Sequence, residues 1–149
     1  MKQLRKDRMK IASLIFLSMN ALSAGCQTVS DIKFTTGTRG YTKEIVITPQ
    51  TVTLHEENLR EPAKSKDKTR ELQSGEWNQL LKSMDGLALR EIPLLKSPTE
   101  KHIYDGAMIF SLTITDKSGK VWSHTFDNED PNQQLKPLLA LIFTITEGN

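Results

Sequence analysis

MIFSLTITDKSGKVWSHTF, Met108 to Phe126, is the stretch from which the fold is read. Met108, Phe110, Leu112 and Ile114 alternate with Ile109, Ser111, Thr113 and Thr115, the period of two that marks a half-buried strand. The turn Asp116-Lys117-Ser118-Gly119 predicts a type I turn closed by Gly119 in the left-handed conformation, a G1-bulge hairpin. Asp116 then faces Lys120, Ile114 faces Trp122, Leu112 faces His124 and Phe110 faces Phe126. The large side chains fall on one face. Slipping the pairing by one residue would set Trp122 against Thr113, so the sequence itself selects the bulged turn.

A sheet with one apolar face needs a cover, and the flanking segments offer two helices. Downstream, Asp127-Asn128-Glu129-Asp130-Pro131 precedes a stripe of Leu135, Leu138, Leu139, Ile142 and Ile145. Asp130 is a good N-cap there, with Pro131 as first helical residue and Gln133 at the reciprocal capping position. Pro137 lies inside the stripe, so it either kinks the helix or marks its true start. Upstream, Trp77, Leu80, Leu81 and Met84 form an i, i+3, i+4, i+7 stripe, with Ser74 as cap and Gly86 as left-handed terminator. Between this helix and the hairpin, Leu87 to Pro98 is broken by Pro93 and Pro98 and reads as an extended crossing segment.

Further upstream, Glu57 to Glu71 is charged and nearly free of apolar residues. It reads as a solvated excursion, with a lipid-facing role for its lysines as the alternative. Before it come strand-like runs from Ile32, from Tyr41 to Thr48 and from Thr51 to Glu56, the last two separated by the turn Pro49-Gln50. Gly37 and Gly40 suit positive φ in the first loop. The order is β-β-β-α-β-β-α. The expected fold class is α+β, a single-domain antiparallel sheet with two helices packed on one face; the runner-up is an all-antiparallel sandwich with Ile142 to Ile145 as a strand.

At the amino terminus, MKQLRKDRMK precedes the apolar run IASLIFLSMNALSAGC, Ile11 to Cys26. A charged segment, a short apolar segment and small residues before a cleavage site form the layout of an export signal. The run is interrupted by Ser18 and Asn20 and falls short of the ~20 apolar residues that span a bilayer. Leu22-Ser23-Ala24-Gly25-Cys26 resembles the lipobox of bacterial lipoproteins, with Ser23 where that pattern usually holds Leu, Val or Ile. The resemblance implies that residues 1–25 are a lipoprotein signal peptide, that Cys26 carries diacylglycerol and palmitate, and that residues 26–31 are a tether to a domain over 32–149. The membrane, through lipidated Cys26, is then the first partner. Gln27 after the cysteine, by the same likeness, favours the periplasmic face of the outer membrane in a Gram-negative cell.

Charge and cysteine usage narrow the classes further. The whole chain has 20 basic and 18 acidic residues, but Lys2, Arg5, Lys6, Arg8 and Lys10 lie before Cys26 against Asp7 alone, leaving 15 basic and 17 acidic from Cys26 onward. A formal −2 argues against a nucleic-acid partner. One cysteine makes no internal disulfide.

The chemistry-bearing residues form no recognisable constellation. His55, His102 and His124 lack ligand spacing, so no metal and no cofactor are expected. Asp127, Glu129 and Asp130 lack the glycine and terminal Glu of a calcium loop, and capping accounts for Asp130. Tyr104-Asp105-Gly106-Ala107 reads as a turn. No GxSxG, HExxH or phosphate-cradling glycine loop occurs, and no catalytic residue is assigned. Trp77 and Trp122 fall at core-facing positions.

The element order, TTGTRGYTKE at residues 35–44, EWNQLLKSM at 76–84 and DPNQQLKPLLALI at 130–142 together resemble the emfourin-type proteins, small proteins named for an inhibitor of a thermolysin-like metalloprotease. That resemblance implies a partner-binding loop at Gly37, Thr38, Arg39, Gly40 and Tyr41, although the family's adjacent glycines are here separated by Thr38 and Arg39. The expected function is a membrane-anchored periplasmic lipoprotein acting as a non-enzymatic binding module on a periplasmic protein such as a protease. The alternatives are a structural envelope lipoprotein and an envelope hydrolase using carboxylates or His124.

Overall fold

The computed structural model describes residues 29–99, 108–127 and 130–148. The leader, Cys26, His102, Tyr104 to Ala107, Asn128 and Glu129 lie outside the described residues. Six strands form one antiparallel sheet: β1 (Val29–Thr38), β2 (Tyr41–Ile47), β3 (Thr51–Asn58), β4 (Lys66–Glu71), β5 (Ile109–Asp116) and β6 (Val121–Asp127). Their spatial order is β4-β3-β2-β1-β5-β6, which puts the first strand in the middle. Two helices, α1 (Glu76–Ser83) and α2 (Lys136–Glu147), complete the α+β domain.

The hairpin of β5 and β6 has the register that the sequence predicts. Phe110 pairs with Phe126, Leu112 with His124 and Ile114 with Trp122. Gly119 has φ 82° and its N–H donates to the Asp116 carbonyl at 2.9 Å. The Asp116 side chain accepts from the N–H groups of Ser118 and Lys120, so its carboxylate closes the turn from inside and is held below the usual range by those bonds, the Ser118 hydroxyl foremost.

Alternation carries that face across the sheet. Ile32 is flanked by Ile47 and Ile114, and Phe34 by Ile45 and Leu112. These residues are buried with Leu80 and Met84 of α1 and Leu138, Leu139, Ile142 and Ile145 of α2 in one core. Trp77, Leu81 and Trp122 are half-buried against it. The opposite face carries Lys33, Thr35, Thr53, His55, Thr69, Ser111, Thr113, Ser123 and Thr125, none of them buried.

Several local expectations are corrected. Glu57 to Glu71 is not wholly a solvated excursion, since Lys66–Glu71 forms β4 against β3, with Thr69 opposite Thr53. An edge strand needs no apolar residues, and its charges keep other edges away. Arg70 anchors it: the guanidinium donates to both Glu76 oxygens at 3.0 Å and to the Ile145 carbonyl at 2.5 Å. Glu76 also accepts from the Gln73 N–H at 2.7 Å, and with Arg70 as the larger cause its carboxyl lies below the usual range.

The α1 cap is Gly75, at φ 91° and with no side-chain cap bond, and not Ser74; the Glu76 carboxylate reaches back to the Gln73 N–H. Leu87 to Pro98 is not fully extended: Leu89–Leu94 is a 3-10 segment packed against β6. Leu89 and Ile92 are its buried residues, three apart as a three-residue turn requires. The last helix starts at Lys136, with Pro137 in its first turn, where the missing N–H costs nothing. Asp130 is therefore not an N-cap and instead pairs with Lys136 at 3.0 Å. The region 142–145 is helical, which removes the sandwich.

At the other end, β1 begins at Val29, so Val29 to Asp31 belong to the sheet and not to a spacer. Val29 is buried, and the Ser30 hydroxyl, donating to Asp31 Oδ2 at 2.8 Å, also lies 3.2 Å from the Thr115 and Asp116 carbonyl oxygens.

Candidate ligand-binding groove

Gly37, expected in a loop at positive φ, lies within β1 opposite Thr42. A Cβ there would come within 3.1 Å of the Tyr41 carbonyl oxygen, so the glycine is explained by close backbone approach. Thr38 pairs directly with Tyr41, leaving Arg39 and Gly40 as a two-residue turn with Gly40 at φ 85°. The Gly40 carbonyl accepts from the Leu59 N–H at 2.8 Å, which ties this tip to the end of β3. The five residues read as one loop are thus mostly ladder, and only the turn projects.

The titratable residues singled out in sequence are dispersed. His55 is exposed on the open face with Nδ1 2.5 Å from Asp67, whose hydrogen bond and charge raise its pKa. His124 is buried on the core face, stacked on Phe126 at 6.0 Å between centroids, and burial lowers its pKa. Asp127 is buried and accepts from the hydroxyls of Thr99 at 2.5 Å and Ser97 at 3.3 Å, binding residues 97–99 to the end of β6. Asp127 and Asp130 therefore serve different contacts. No group of three His, Cys, Asp or Glu able to hold a metal occurs among the described residues.

What the fold does assemble is an aromatic groove between α2 and the sheet. Phe34, Phe110 and Phe126 line up across β1, β5 and β6, with ring centroids 6.0 and 5.6 Å apart. Phe143 of α2 stands edge-on to Phe34 at 5.0 Å. Two clefts share Phe110 and Phe143. One, of about 250 Å³, is closed by Asp130, Pro131, Lys136, Leu139 and Ala140. The other, of about 300 Å³, is closed by Thr36, Tyr41, Lys43 and Met108.

No family model, curated protein or solved structure matched the chain. Any functional reading therefore rests on the residues themselves.

The second cleft also carries polar side chains. Thr36 is 8% exposed, and its hydroxyl oxygen has no hydrogen-bond partner among the described residues. Tyr41 has its pKa raised by burial and, after that, by the charge and hydrogen bond of Glu56. Glu56 lies opposite Lys43 in the ladder, and its carboxylate is near enough to Tyr41 to raise the phenol's pKa. The Lys43 ammonium has no carboxylate within ion-pairing distance among the described residues. Lys136, at the first cleft, is paired with Asp130.

Sequence reading missed the groove because Phe34, Phe110 and Phe126 fit their strands as ordinary core. The signal present was the polar interruption of that face: Thr36, Tyr41 and Lys43 take inward positions at the ends of strands whose other inward residues are aliphatic or aromatic.

Proposed function

We propose that this protein is a lipid-anchored binding module of the bacterial cell envelope, without catalytic chemistry of its own. The observation that carries the reading is the run from Met1 to Cys26, in which a basic segment, a short apolar segment and small residues lead to the sole cysteine. Diacylglycerol on Cys26 supplies the membrane attachment. With ~0.8 kcal/mol per buried methylene, two or more chains hold a domain of this size permanently. By likeness to enteric lipoproteins, Gln27 after the cysteine favours the periplasmic face of the outer membrane where two membranes exist. The clefts beside α2, where Tyr41, Lys43, Lys136 and Phe143 are part-exposed, support binding as the domain's task.

Metabolic labelling with a clickable palmitate analogue tests the anchor. The wild-type protein takes label, fractionates with membranes and starts at a modified Cys26, whereas Cys26→Ser is unlabelled and either released or unprocessed. A variant that remains membrane-bound and is cut at the same bond would refute it. The likeness to emfourin-type proteins, with Arg39 and Gly40 forming the β1–β2 turn, favours a second reading, contact with a periplasmic protease. Unchanged substrate cleavage by thermolysin-like proteases in excess protein would eliminate that version.

A further inference from the structure

We infer that the tip of the β5–β6 hairpin, Lys117 to Trp122, lies on the bilayer surface beside the anchor, with Lys117 and Lys120 among anionic phospholipid headgroups. The inference rests on the reading of Cys26 as the lipidated residue and adds to it the face that the domain turns to its membrane.

The length of chain between anchor and sheet sets the geometry. Cys26 stands three residues before Val29, the first residue of β1. Consecutive Cα atoms are ~3.8 Å apart, so the lipidated residue lies within about 11 Å of β1 whatever path the chain takes. Val29 pairs with Asp116, the last residue of β5, and the turn Lys117-Ser118-Gly119 follows directly. The hairpin tip therefore stands one strand away from the chain's exit toward the anchor. On the other side of β1 is the uncharged turn Pro49-Gln50. The Arg39-Gly40 turn is at the far end of β1, which has ten residues and so spans about 30 Å, and it points away from the bilayer.

The tip has the chemistry of an interfacial contact. Asp116 directs its carboxylate into the turn, where it accepts from the N–H groups of Ser118 and Lys120 at 2.8 and 2.9 Å and from the Ser118 hydroxyl. Lys117 and Lys120 are the outward charges, both exposed. The Lys120 ammonium lies over the Trp122 ring, 5.3 Å from its centroid, and Val121 between them is 54% exposed. Lysine draws such a tip to anionic lipid, and an indole settles at headgroup level. Asp31 lies back from the tip, opposite Thr115, and accepts from the Ser30 hydroxyl at 2.8 Å. Two further carboxylates at this end stand on its other side. Glu71 closes β4, four strands from β5, and Glu147 ends α2, whose Ile145 carbonyl is held by Arg70 of β4. Their repulsion from an anionic surface tilts the domain onto the hairpin and away from β4.

The test uses the full lipoprotein, purified from membranes and reconstituted into vesicles of phosphatidylcholine alone or with about a quarter phosphatidylglycerol. With Cys26 consumed by its thioether, one nitroxide is attached at Ser118→Cys on the tip or at Glu61→Cys, near the Arg39-Gly40 turn. Electron paramagnetic resonance reads collision of the label with an aqueous nickel chelate. We expect the tip label to be shielded in anionic vesicles and open in neutral ones, and the Glu61→Cys label to be open in both. Each lysine close to an anionic surface shifts the contact equilibrium roughly fivefold. Lys117→Gln with Lys120→Gln should then lower the ratio of docked to free tip by about 25-fold and reopen the label, as should salt at ~0.5 M.

Equal access at both positions in anionic vesicles, equal shielding of the tip in neutral and anionic vesicles, or shielding that survives loss of both lysines would overturn the inference. Flotation with the neutral vesicles reports the anchor by itself. Protein that floats with an open tip in anionic vesicles keeps the anchor and loses the hairpin contact, whereas protein that does not float loses both.

Discussion

His124 is a titratable group placed where charge is unwelcome. Its ring lies on the core face between Leu112 and Phe126, and its Nε2 has no partner among the described residues. Burial holds its pKa below the ordinary value near 6.5, so the folded protein keeps it neutral while the unfolded chain takes up a proton first. The stability it contributes is therefore present above that ordinary value and lost as pH falls through the lowered folded one. His55 works in the opposite direction, its raised pKa giving stability that fades as pH rises, but it is common to wild type and variant and cancels in the comparison. His124→Phe should lose less melting temperature than wild type between pH 7.5 and pH 5. Equal losses in differential scanning calorimetry would mean that His124 is not protonated on unfolding. At this scale the sequence is informative, since the hairpin register alone sets His124 opposite Leu112. The Arg70–Glu76 pair was not legible, because nothing in a charged run marks which arginine meets which carboxylate until the strand and helix are docked.

At the scale of elements, the hairpin of β5 and β6 was the most legible part, since a local turn and strict alternation leave one register. The two ends of the chain's polar stretches were the least. β4 carries no apolar signal, and its existence depends on β3 supplying a ladder and on Arg70 reaching α1 and α2. Likewise Asp130-Pro131 has the chemistry of a helix start, yet the helix begins at Lys136, since a helix from Pro131 would need an N–H at Pro137 that proline lacks. This position makes Pro137 harmless. Pro137→Ala should change stability by no more than about 0.5 kcal/mol in urea titrations, whereas proline in a helix interior costs ~3 kcal/mol. A large gain on replacement would place Pro137 inside a longer helix. Gly40 and Gly37 show the same contrast within one turn: positive φ is evident from the Arg39-Gly40 pair, but the close approach at Gly37 follows from a ladder that only the folded sheet defines.

For the molecule as a whole, the sheet has two dissimilar margins. β4 is lined with Lys66, Asp67, Lys68 and Arg70, while β6 carries Val121 and Trp122 and is buttressed by the 3-10 segment Leu89–Leu94. Charge is the main defence of the first margin and packing that of the second. Replacing Lys66, Asp67 and Lys68 together by valine should convert the protein from its native elution position in size-exclusion chromatography to larger species, with little change in its circular dichroism. An unchanged elution profile would show that the charges do not guard this edge. The general architecture, an antiparallel sheet covered on one face by two helices, followed from two helical stripes and an alternating hairpin. The groove did not, because an aromatic side chain that lines a cleft and one that fills a core obey the same alternation.

Placing the first strand at the centre has a mechanical consequence. A pull on the amino-terminal end of β1 acts along the strand and must shear the ladders to β2 and β5 at the same time, whereas a pull on an outer strand would peel one bond after another. If the proposed anchor holds the domain at that end, it grips it by its strongest handle, and tension would be resisted by the body of the sheet before any part of it opened.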